Sequence, residues 1–261
     1  MSVITTSSFA KALWPGVNKW YGDAYNEFSP QWDKLFEKHT SRRAWEEDVG
    51  VSMFGLPSVK PEGAGISYDT SRQGFTSRYN HVVYALGFIV TREAVDDDLY
   101  DVVGKQKAKS LAFSMRQNKE IIAANIYNRA FSTSYTGGDG ASLIASAGGG
   151  GSSSHPNVAG GTWTNGVATA TDLSEAALEQ AVIDIRGFTN DRGLKVQAKP
   201  TKLIIPKELM FEATRILKTD GQVYSADNTL NAIKTMGVIP EIIVNDYLTD
   251  TDAWFIKTNV Q

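Results

Sequence analysis

Residues 66–90 carry the sequence ISYDTSRQGFTSRYNHVVYALGFIV, and this stretch decides the predicted fold. Apolar or aromatic side chains alternate with polar ones on both sides of Gln73-Gly74, a dipeptide suited to a turn. The pattern predicts a β-hairpin with its turn at that dipeptide. The following residues, 82–90, are apolar on both faces and predict a buried strand. Because an isolated two-stranded hairpin is marginally stable in water, something else must cover it.

A long helix is predicted over residues 93–131, directly after the buried strand. Acidic side chains crowd its start and basic ones follow, which suits the helix macrodipole. An apolar stripe recurs at helical spacing, formed by Leu99, Val103, Leu111, Met115, Ile122 and Ile126. Gly104 costs about 1 kcal/mol inside a helix and predicts a bend. At 1.5 Å per residue such a helix extends about 50 Å, which favours an elongated molecule.

The carboxyl-terminal part predicts a compact α/β lobe over residues 172–256. One helix is expected to use Leu178, Val182 and Ile185, with Asp172 and Glu175 at its start and Gly187 at its end. Buried strands are predicted at 203–205, 242–244 and 254–256, a turn at 190–193, a helix starting at Pro206, and a short helix capped by Asn228 and ending at Gly237. The Gly- and Ser-rich residues 137–161 predict a flexible surface loop.

Residues 1–60 are rich in aromatic side chains and poor in periodicity. Trp14, Trp20 and Trp32 are the most prominent of them. One interpretation makes this segment part of its own domain core. The other makes it an arm that lays these aromatics on a neighbouring subunit, since Trp is favoured as an interface anchor. Both interpretations stay open on composition alone.

Composition excludes several classes of protein. The 261 residues carry 26 Lys and Arg against 29 Asp and Glu, a formal net charge of −3, which argues against a protein that wraps nucleic acid. The absence of Cys removes disulfides, thiolate nucleophiles and Cys-ligated zinc. The longest apolar run is far shorter than the ~20 residues of a membrane helix, and the first residues do not resemble a signal peptide. We predict no membrane association.

No constellation of residues predicts catalysis or cofactor binding. His39, His81 and His155 lie in separate segments without the spacing of metal ligands, so no metal site is predicted. Neither glycine-rich phosphate motif is present. We predict a protein that is not an enzyme and has no cofactor. The one catalytic alternative is a hydrolase that pairs His155 with an acid such as Asp139.

The aromatic segment, the hairpin and the long helix each expose surface that a lone subunit cannot bury. Identical subunits that cover one another's open surfaces in repeated contacts build closed shells or filaments. The sequence therefore predicts an assembly protein.

Segments along nearly the whole chain carry a resemblance to a known family. They are ALWPGV at 12–17, AWEEDVG at 44–50, YDTSRQGFTSRY at 68–79, LGF at 86–88, GTWTN at 161–165, DLSEAA at 172–177, KPTKLIIP at 199–206 and YLTDTDAW at 247–254. In this order they resemble the major capsid proteins of tailed bacteriophages with the Hong Kong 97-type fold, close to the Mu-like head-subunit group.

The resemblance implies an α+β fold and a role for each part of the chain. Residues 1–60 would be the N-arm, 61–90 the extended loop and return strand, 91–132 the peripheral domain with its spine helix, 133–171 the Gly/Ser-rich loop, and 172–261 the axial domain. It implies that the extended loop lies over an adjacent subunit, and that the N-arm makes further contacts. The expected interface residues are Tyr68, Arg72, Phe75, Arg78 and Tyr79 in the loop, with the two arginines pairing to the neighbour's acids, and Trp14, Trp20 and Trp32 in the arm.

The implied function is an icosahedral head shell, located in the virion and assembled in the host bacterial cytoplasm. The implied partners are copies of the chain as hexamers and pentamers, portal, scaffolding and decoration proteins, and double-stranded DNA enclosed without sequence-specific binding. A shell around protein cargo, as in encapsulin nanocompartments, is the alternative with the same fold. Relatives of this group continue past Phe255 with a further strand, so we expect either a partial chain or a sheet finished differently. Lys60 lies away from the predicted hairpin tip, and no covalent cross-link between subunits is expected.

Overall fold

A computed structural model of the chain describes residues 10–91, 93, 100–148, 150–222 and 229–260. They form a mixed helix and sheet structure, which confirms the α+β class. The described residues group into two compact units. The first takes the described part of Met1–Lys38 and Val82–Ala124, and the second takes His39–His81 and the described part of Asn125–Gln261.

The first unit contains helices and extended chain. Helix α1 is Ala10–Tyr25 and α2 is Trp32–Leu35. A π-helical turn, Tyr100–Gly104, leads into α3, Lys105–Asn128, whose last turn belongs to the second unit. The predicted bend at Gly104 coincides with this change from π- to α-helix. Of the predicted helix over 93–131, residues 94–99, including Leu99 of the apolar stripe, lie outside the described residues.

The buried face of α3 differs from the predicted one. The buried side chains are Ala108, Ala112, Glu120 and Ala124, spaced four residues apart or a multiple of four. Ile122 and Ile126 of the predicted stripe are exposed, so that stripe is wrong in the second half of the helix. Because alanine side chains are small, the backbone at the start of α2 can approach this face of α3 closely. Glu120 uses this closeness, because its carboxylate accepts the backbone N–H of Gln31 and of Trp32 at 2.9 Å each, where α2 begins.

A three-stranded sheet carries the core of the second unit. Its strands are β5 (Pro200–Pro206), β6 (Glu241–Asn245) and β7 (Phe255–Thr258), in the order β6-β5-β7. The central strand β5 pairs parallel to β6 and antiparallel to β7. Leu203, Ile204 and Ile205 are fully buried on β5, which confirms the predicted strands.

Three helices accompany this sheet: α4 (Glu175–Gly187), α5 (Met210–Lys218, after a 3-10 turn at Lys207–Leu209) and α6 (Ala232–Met236). Side chains from them pack with β5 in one cluster that includes Leu178, Val182, Ala213, Ile216 and Ile233. The elements were predicted correctly, but two caps were not. Ser174 caps α4 instead of Asp172, and Asn231 caps α6, whereas Asn228 lies outside the described residues. Gly237 ends α6 with a left-handed backbone, as predicted.

The predicted hairpin around Gln73-Gly74 is wrong in its turn and in its first strand, whereas the alternating residues 75–79 do form a strand. Strand β2 (Gln73–Asn80) pairs antiparallel with β1 (Trp45–Val51), a strand that the sequence analysis did not predict. Residues 66–72 are not a strand, and Gln73 and Gly74 lie inside β2 instead of forming a turn. Strand β1 was missed because its charged residues give no alternating apolar pattern. Such a pattern arises only where one face of a strand is buried, and both faces of this ribbon are exposed.

The predicted buried strand at 82–90 is also wrong. These residues lie in no strand, and Val83 and Ile89 are 90% and 96% exposed. No hydrogen bond joins residues 82–90 to any other described residue. Apolar side chains on both faces are typical of a buried strand, but no other part of the described chain covers residues 82–90.

The Gly- and Ser-rich residues 137–161 are only in part the surface loop that was predicted, because exposed residues alternate there with buried ones. Ala141, Ser142, Ala145, Ser146 and His155 are buried there. Ser142 and Ser152 exchange hydrogen bonds, since the Oγ of each accepts the backbone N–H of the other at 2.8 and 3.0 Å. The short strands β3 (His155–Pro156) and β4 (Thr162–Trp163) pair in the same region. The small side chains serve close packing here.

Candidate subunit interface

The ribbon formed by β1 and β2 has no face packed against a core. Its register pairs Trp45 with Asn80 and Asp48 with Ser77, with an irregularity between Val49 and Val51. Nearly every side chain in both strands is exposed, including the aromatic rings of Trp45, Phe75 and Tyr79. Such a ribbon is available for contact on both faces, as the predicted extended loop requires.

Arg78 is already paired within its own chain. Its guanidinium contacts Glu47 on the opposite strand, with Nε and Nη2 both 2.6 Å from Oε1. The same group lies 4.4 Å from the ring centroid of Trp45. Arg78 was expected to pair with an acidic residue of a neighbouring subunit. Glu47 of the same chain competes for that pairing, because it already forms an ion pair with Arg78.

One edge of the ribbon rests on the Gly-rich region. A Cβ on Gly138 would lie 2.6 Å from the carbonyl oxygen of Thr76 and closer still to the Ser77 hydroxyl. A Cβ on Gly74 would lie 2.5 Å from a methyl group of Val158. The approach at Gly138 requires glycine, because real Cβ atoms do not come so close to backbone atoms, whereas a Cβ at Gly74 would force the Val158 side chain to move. Gly74 and Gly138 thus fix how closely the ribbon packs on the Gly-rich region.

Residues 53–70 form a long loop between the two strands, called here the tip loop. Its neck is closed by Ser52, whose backbone N–H donates to the carbonyl of Arg72 at 2.9 Å and whose Oγ accepts the Arg72 N–H at 2.7 Å. The Ser71 hydroxyl donates to the Ser52 carbonyl at 2.7 Å. Beyond this neck the side chains are exposed, with Val59 at 93% and Tyr68 at 91%.

The turn at residues 190–193 contacts the neck from the lobe. The Arg192 side chain donates from Nε to the Met53 carbonyl at 3.1 Å and from Nη2 to the Thr70 carbonyl at 2.8 Å. Nη2 also lies 3.5 Å from the Asp69 carboxylate. Hydrogen bonds from the backbone N–H of Gly55 and of Thr70, followed by the charge of Arg192, hold the pKa of Asp69 below its ordinary value of 3.8.

The structure places the five predicted loop residues on two elements. Phe75, Arg78 and Tyr79 lie on β2, whereas Tyr68 lies in the tip loop and Arg72 at its neck. Sequence reasoning missed strand β1 and the contribution of Arg192. The Asn-Asp-Arg-Gly pattern does predict the turn that carries Arg192, but nothing in it indicates a contact more than a hundred residues away.

Comparison with known proteins gives one positive finding. A family model described as phage capsid protein matches residues 74–260, which is more than two thirds of the chain. The chain belongs to the phage capsid protein family. No curated protein and no solved structure matches it significantly. The match begins inside β2 and includes the whole lobe, whereas β1 and the tip loop precede it.

Membership in a capsid family gives the exposed ribbon a context. Capsid proteins are structural components of the virion, and they assemble into a shell with other copies. Surfaces that stay open in a single copy are then positions where other copies can bind. None of the described helices of this capsid protein is long and apolar enough to cross a membrane.

The hydrolase alternative pairs His155 with Asp139, and these two side chains are in contact in the structure. In this capsid protein His155 Nδ1 lies 2.6 Å from Asp139 Oδ2, as that alternative expected. However, Nε2 faces Asn165 Oδ1 at 3.3 Å, the ring stacks on Trp163, and the residue is 6% exposed. Because both ring nitrogens are engaged, the imidazole has no free nitrogen for a substrate. The arrangement suits a role in packing the Gly-rich region, and a capsid family is structural.

The described part of the capsid protein also contains no group of three or more His, Cys, Asp and Glu residues placed to hold a metal ion. The Asp172, Asp250 and Asp252 carboxylates come near one another, and the hydrogen bond and charge of Asp250, followed by the charge of Asp172, raise the pKa of Asp252. The hydrogen bond with Asp250 is the main cause, and repulsion from the like charges of Asp250 and Asp172 acts in the same direction.

The aromatic residues of the N-terminal segment contact cations of their own chain. Trp32 starts α2, with Lys38 Nζ 4.8 Å and Lys119 Nζ 6.0 Å from its ring centroid. Arg116 lies 4.7 Å from the ring centroid of Phe28. Trp20 is half-buried in α1, and the side chain of Trp14 lies outside the described residues. Trp32 thus fits the interpretation as part of its own unit, and contact of the three Trp residues with a neighbouring subunit stays a prediction.

Proposed function

We propose that this phage capsid protein is the major capsid protein of a tailed phage, with a Hong Kong 97-type fold of the Mu-like group. In this proposal copies of the chain assemble as hexamers and pentamers into an icosahedral shell that encloses double-stranded DNA. The axial domain is the lobe after residue 172, the N-arm is residues 1–60, and the spine helix is α3. Portal, scaffolding and decoration proteins are the expected further partners, and assembly takes place in the host cytoplasm.

The single observation that carries the proposal is the ribbon with its tip loop. Monomeric proteins scatter exposed apolar side chains singly, whereas a contiguous apolar segment marks an interaction site. Here the exposed apolar residues follow one another along the chain. In the tip loop they are Met53, Phe54, Leu56, Val59, Ile66 and Tyr68.

The segment 82–90 is a second exposed apolar stretch that supports the proposed assembly. Its backbone N–H and C=O groups have no partner among the described residues, and its side chains are apolar. An extended, apolar chain with free backbone groups is a template for pairing with another strand. In a shell, a neighbouring copy supplies what the free subunit lacks.

The assembly role is tested by making the tip loop polar. We expect the double variant Val59→Ser, Tyr68→Ser to keep the free energy of unfolding within about 0.5 kcal/mol of the unchanged protein, because both side chains are solvent-exposed. The same variant should lose shells in electron micrographs of the overexpressed protein, since its apolar contacts with neighbours are gone.

The matched control is Ile183→Ser, which removes one exposed apolar side chain from α4 in the lobe. It should assemble as the unchanged protein does. Shells formed in full yield by the tip-loop variant would contradict the proposed use of this loop.

A further inference from the structure

Few hydrogen bonds within the tip loop fix its orientation relative to the ribbon. Within it, Gly55 N–H donates to Asp69 at 2.8 Å, the hydroxyls of Ser58 and Ser67 lie 2.9 Å apart, and Ala64 N–H donates to the Pro61 carbonyl at 3.2 Å. A loop of this length without secondary structure is uncommon in compact domains and is usually functional or disordered. Its orientation must therefore come from contacts at the neck.

The turn that meets the neck is itself firmly built. Asn190 N–H donates to the Leu194 carbonyl at 2.8 Å, and the Asn190 side-chain oxygen accepts the N–H of Arg192 and of Leu194 at 3.0 and 2.8 Å. Gly193 adopts a φ of 79°, which a residue with a side chain rarely adopts. Arg192 consequently projects from a defined position on the lobe.

Arg192 joins both sides of the neck with one planar group. Its Nε reaches the Met53 carbonyl on one side, and its Nη2 reaches the Thr70 carbonyl and the Asp69 carboxylate on the other. Asp191 adds a contact, because its Oδ1 accepts the Met53 N–H at 3.3 Å. A guanidinium can span two acceptors because its donors form a rigid fork, whereas a lysine ammonium is a single point charge.

We propose that Arg192 is the positioning residue of the subunit interface: it fixes the direction in which the tip loop is presented to a neighbouring copy. This inference rests on the proposed function. Arg192 and Asp69 are both partly solvent-exposed, at 30% and 43% of their side chains, so their ion pair contributes little to global stability. What Arg192 controls is the order of the tip loop.

The variants Arg192→Ala and Arg192→Lys test this role, with Arg186→Ala as the matched control. Arg186 is an exposed arginine at the last turn of α4, with no hydrogen bond, ion pair or ring contact to another described residue. Three properties are measured on the full-length chain: the unfolding midpoint in urea, amide hydrogen exchange of peptides that include residues 53–70 in unassembled protein, and the yield of shells by sedimentation and electron microscopy.

For Arg192→Ala we expect amide exchange in residues 53–70 to be at least about tenfold faster, with an unchanged urea midpoint, because local opening is separate from global unfolding. The shell yield should fall with it. Arg192→Lys should restore part of both properties, since it keeps the charge but cannot reach both carbonyls. Arg186→Ala should behave as the unchanged protein.

Two results would overturn the inference. One is unchanged exchange in residues 53–70 or an unchanged shell yield for Arg192→Ala. The other is a urea midpoint that falls in step with the exchange effect, which would give Arg192 a general structural role. If the unchanged protein itself formed no shells, the proposed function would fail instead, while the exchange result would still report whether Arg192 holds the loop.

Discussion

Glu120 is a buried acid whose partners are two backbone N–H groups instead of a cation. It is 3% exposed on α3, and its two carboxylate oxygens accept from Gln31 and Trp32 at the start of α2. The first N–H groups of a helix have no partner inside the helix, so a carboxylate at this point satisfies them and suits the helix dipole. Glu120 thus joins the start of α2 to the long helix, beside the cation–π contacts of Arg116 and Lys119.

Replacing Glu120 should destabilise the protein measurably. For Glu120→Ala we expect the free energy of unfolding to fall by about 1–3 kcal/mol, because two N–H groups lose their acceptor. Glu120→Gln keeps one acceptor oxygen and should lose less. Urea denaturation measures the difference, with the exposed Glu179→Ala on α4 as control. Equal stability of Glu120→Ala and the control would contradict this role.

Asp69 should make the order of the tip loop depend on pH. Its pKa is lowered in the folded chain, so the stabilisation that its carboxylate gives is present above the ordinary value of 3.8 and is lost as the pH falls through the lower, folded value. We expect the amides of Gly55 and Thr70 to be better protected from exchange in the unchanged protein than in Asp69→Asn at neutral pH. This difference should vanish in acid below the folded pKa, and a difference that persisted there would argue against the carboxylate as its source.

At the level of residues, caps were predicted to within a few positions. Ser, Asp and Asn all accept hydrogen bonds from the first turn of a helix, so the sequence Thr-Asp-Leu-Ser before α4 offers two candidates. The structure uses Ser174, whose Oγ accepts the Ala177 N–H at 3.2 Å. Sequence alone does not decide between such neighbours, because the choice depends on where packing of Leu178 places the first turn.

At the level of elements, Gly138 controls how closely the ribbon packs on the Gly-rich region of the same unit. For Gly138→Ala we expect a loss of about 1–3 kcal/mol in the free energy of unfolding, because the added methyl would overlap the Thr76 carbonyl and the Ser77 hydroxyl. The matched substitution Gly187→Ala adds a methyl at the end of α4 with no atom within 4 Å, and it should be neutral or slightly stabilising. Thermal denaturation of both variants distinguishes them, and similar behaviour would show that the ribbon does not rest on Gly138.

The lobe was predicted well because its pattern reflects burial within one chain. Strand β5 and helices α4 and α5 bury their apolar residues against each other, so periodicity reports their true environment. The ribbon was predicted poorly for the opposite reason. Its strands pair across the tip loop, and Trp45 to Val51 includes three acidic residues on a strand with no buried face. The alternation at Phe75 to Tyr79 does fall on β2, but without burial within the chain β1 shows no alternating pattern, so the sequence gives no sign of its pairing with β2.

At the level of the whole molecule, residues 82–90 were predicted to form a buried strand, but in the unassembled chain most of their side chains are exposed to solvent. Residues 82–90 are as apolar as a core strand, but all of them are exposed except Phe88 and Val90, which are half-buried. The apolar pattern and the exposure agree if this segment is buried only in the assembled shell, where burial of apolar side chains on another copy is favourable.

Charge on this segment should therefore act on assembly and not on folding. We expect Val83→Asp with Ile89→Asp to leave the urea midpoint of the unassembled chain unchanged, because both positions are exposed in it. The same double variant should form no shells, since two carboxylates would have to be desolvated at the contact. Val83→Thr with Ile89→Thr, without the charge, should retain a larger shell yield. Full assembly of the aspartate variant would show that this segment stays open in the shell.

The measurement that bears most directly on the central claim is the size of the purified, overexpressed full-length protein as a function of its concentration, by analytical ultracentrifugation and electron microscopy. We expect capsomers at low concentration and closed shells of uniform diameter at high concentration. A compact monomer whose sedimentation coefficient does not change with concentration, with the tip loop and residues 82–90 protected from amide exchange by its own chain, would contradict it.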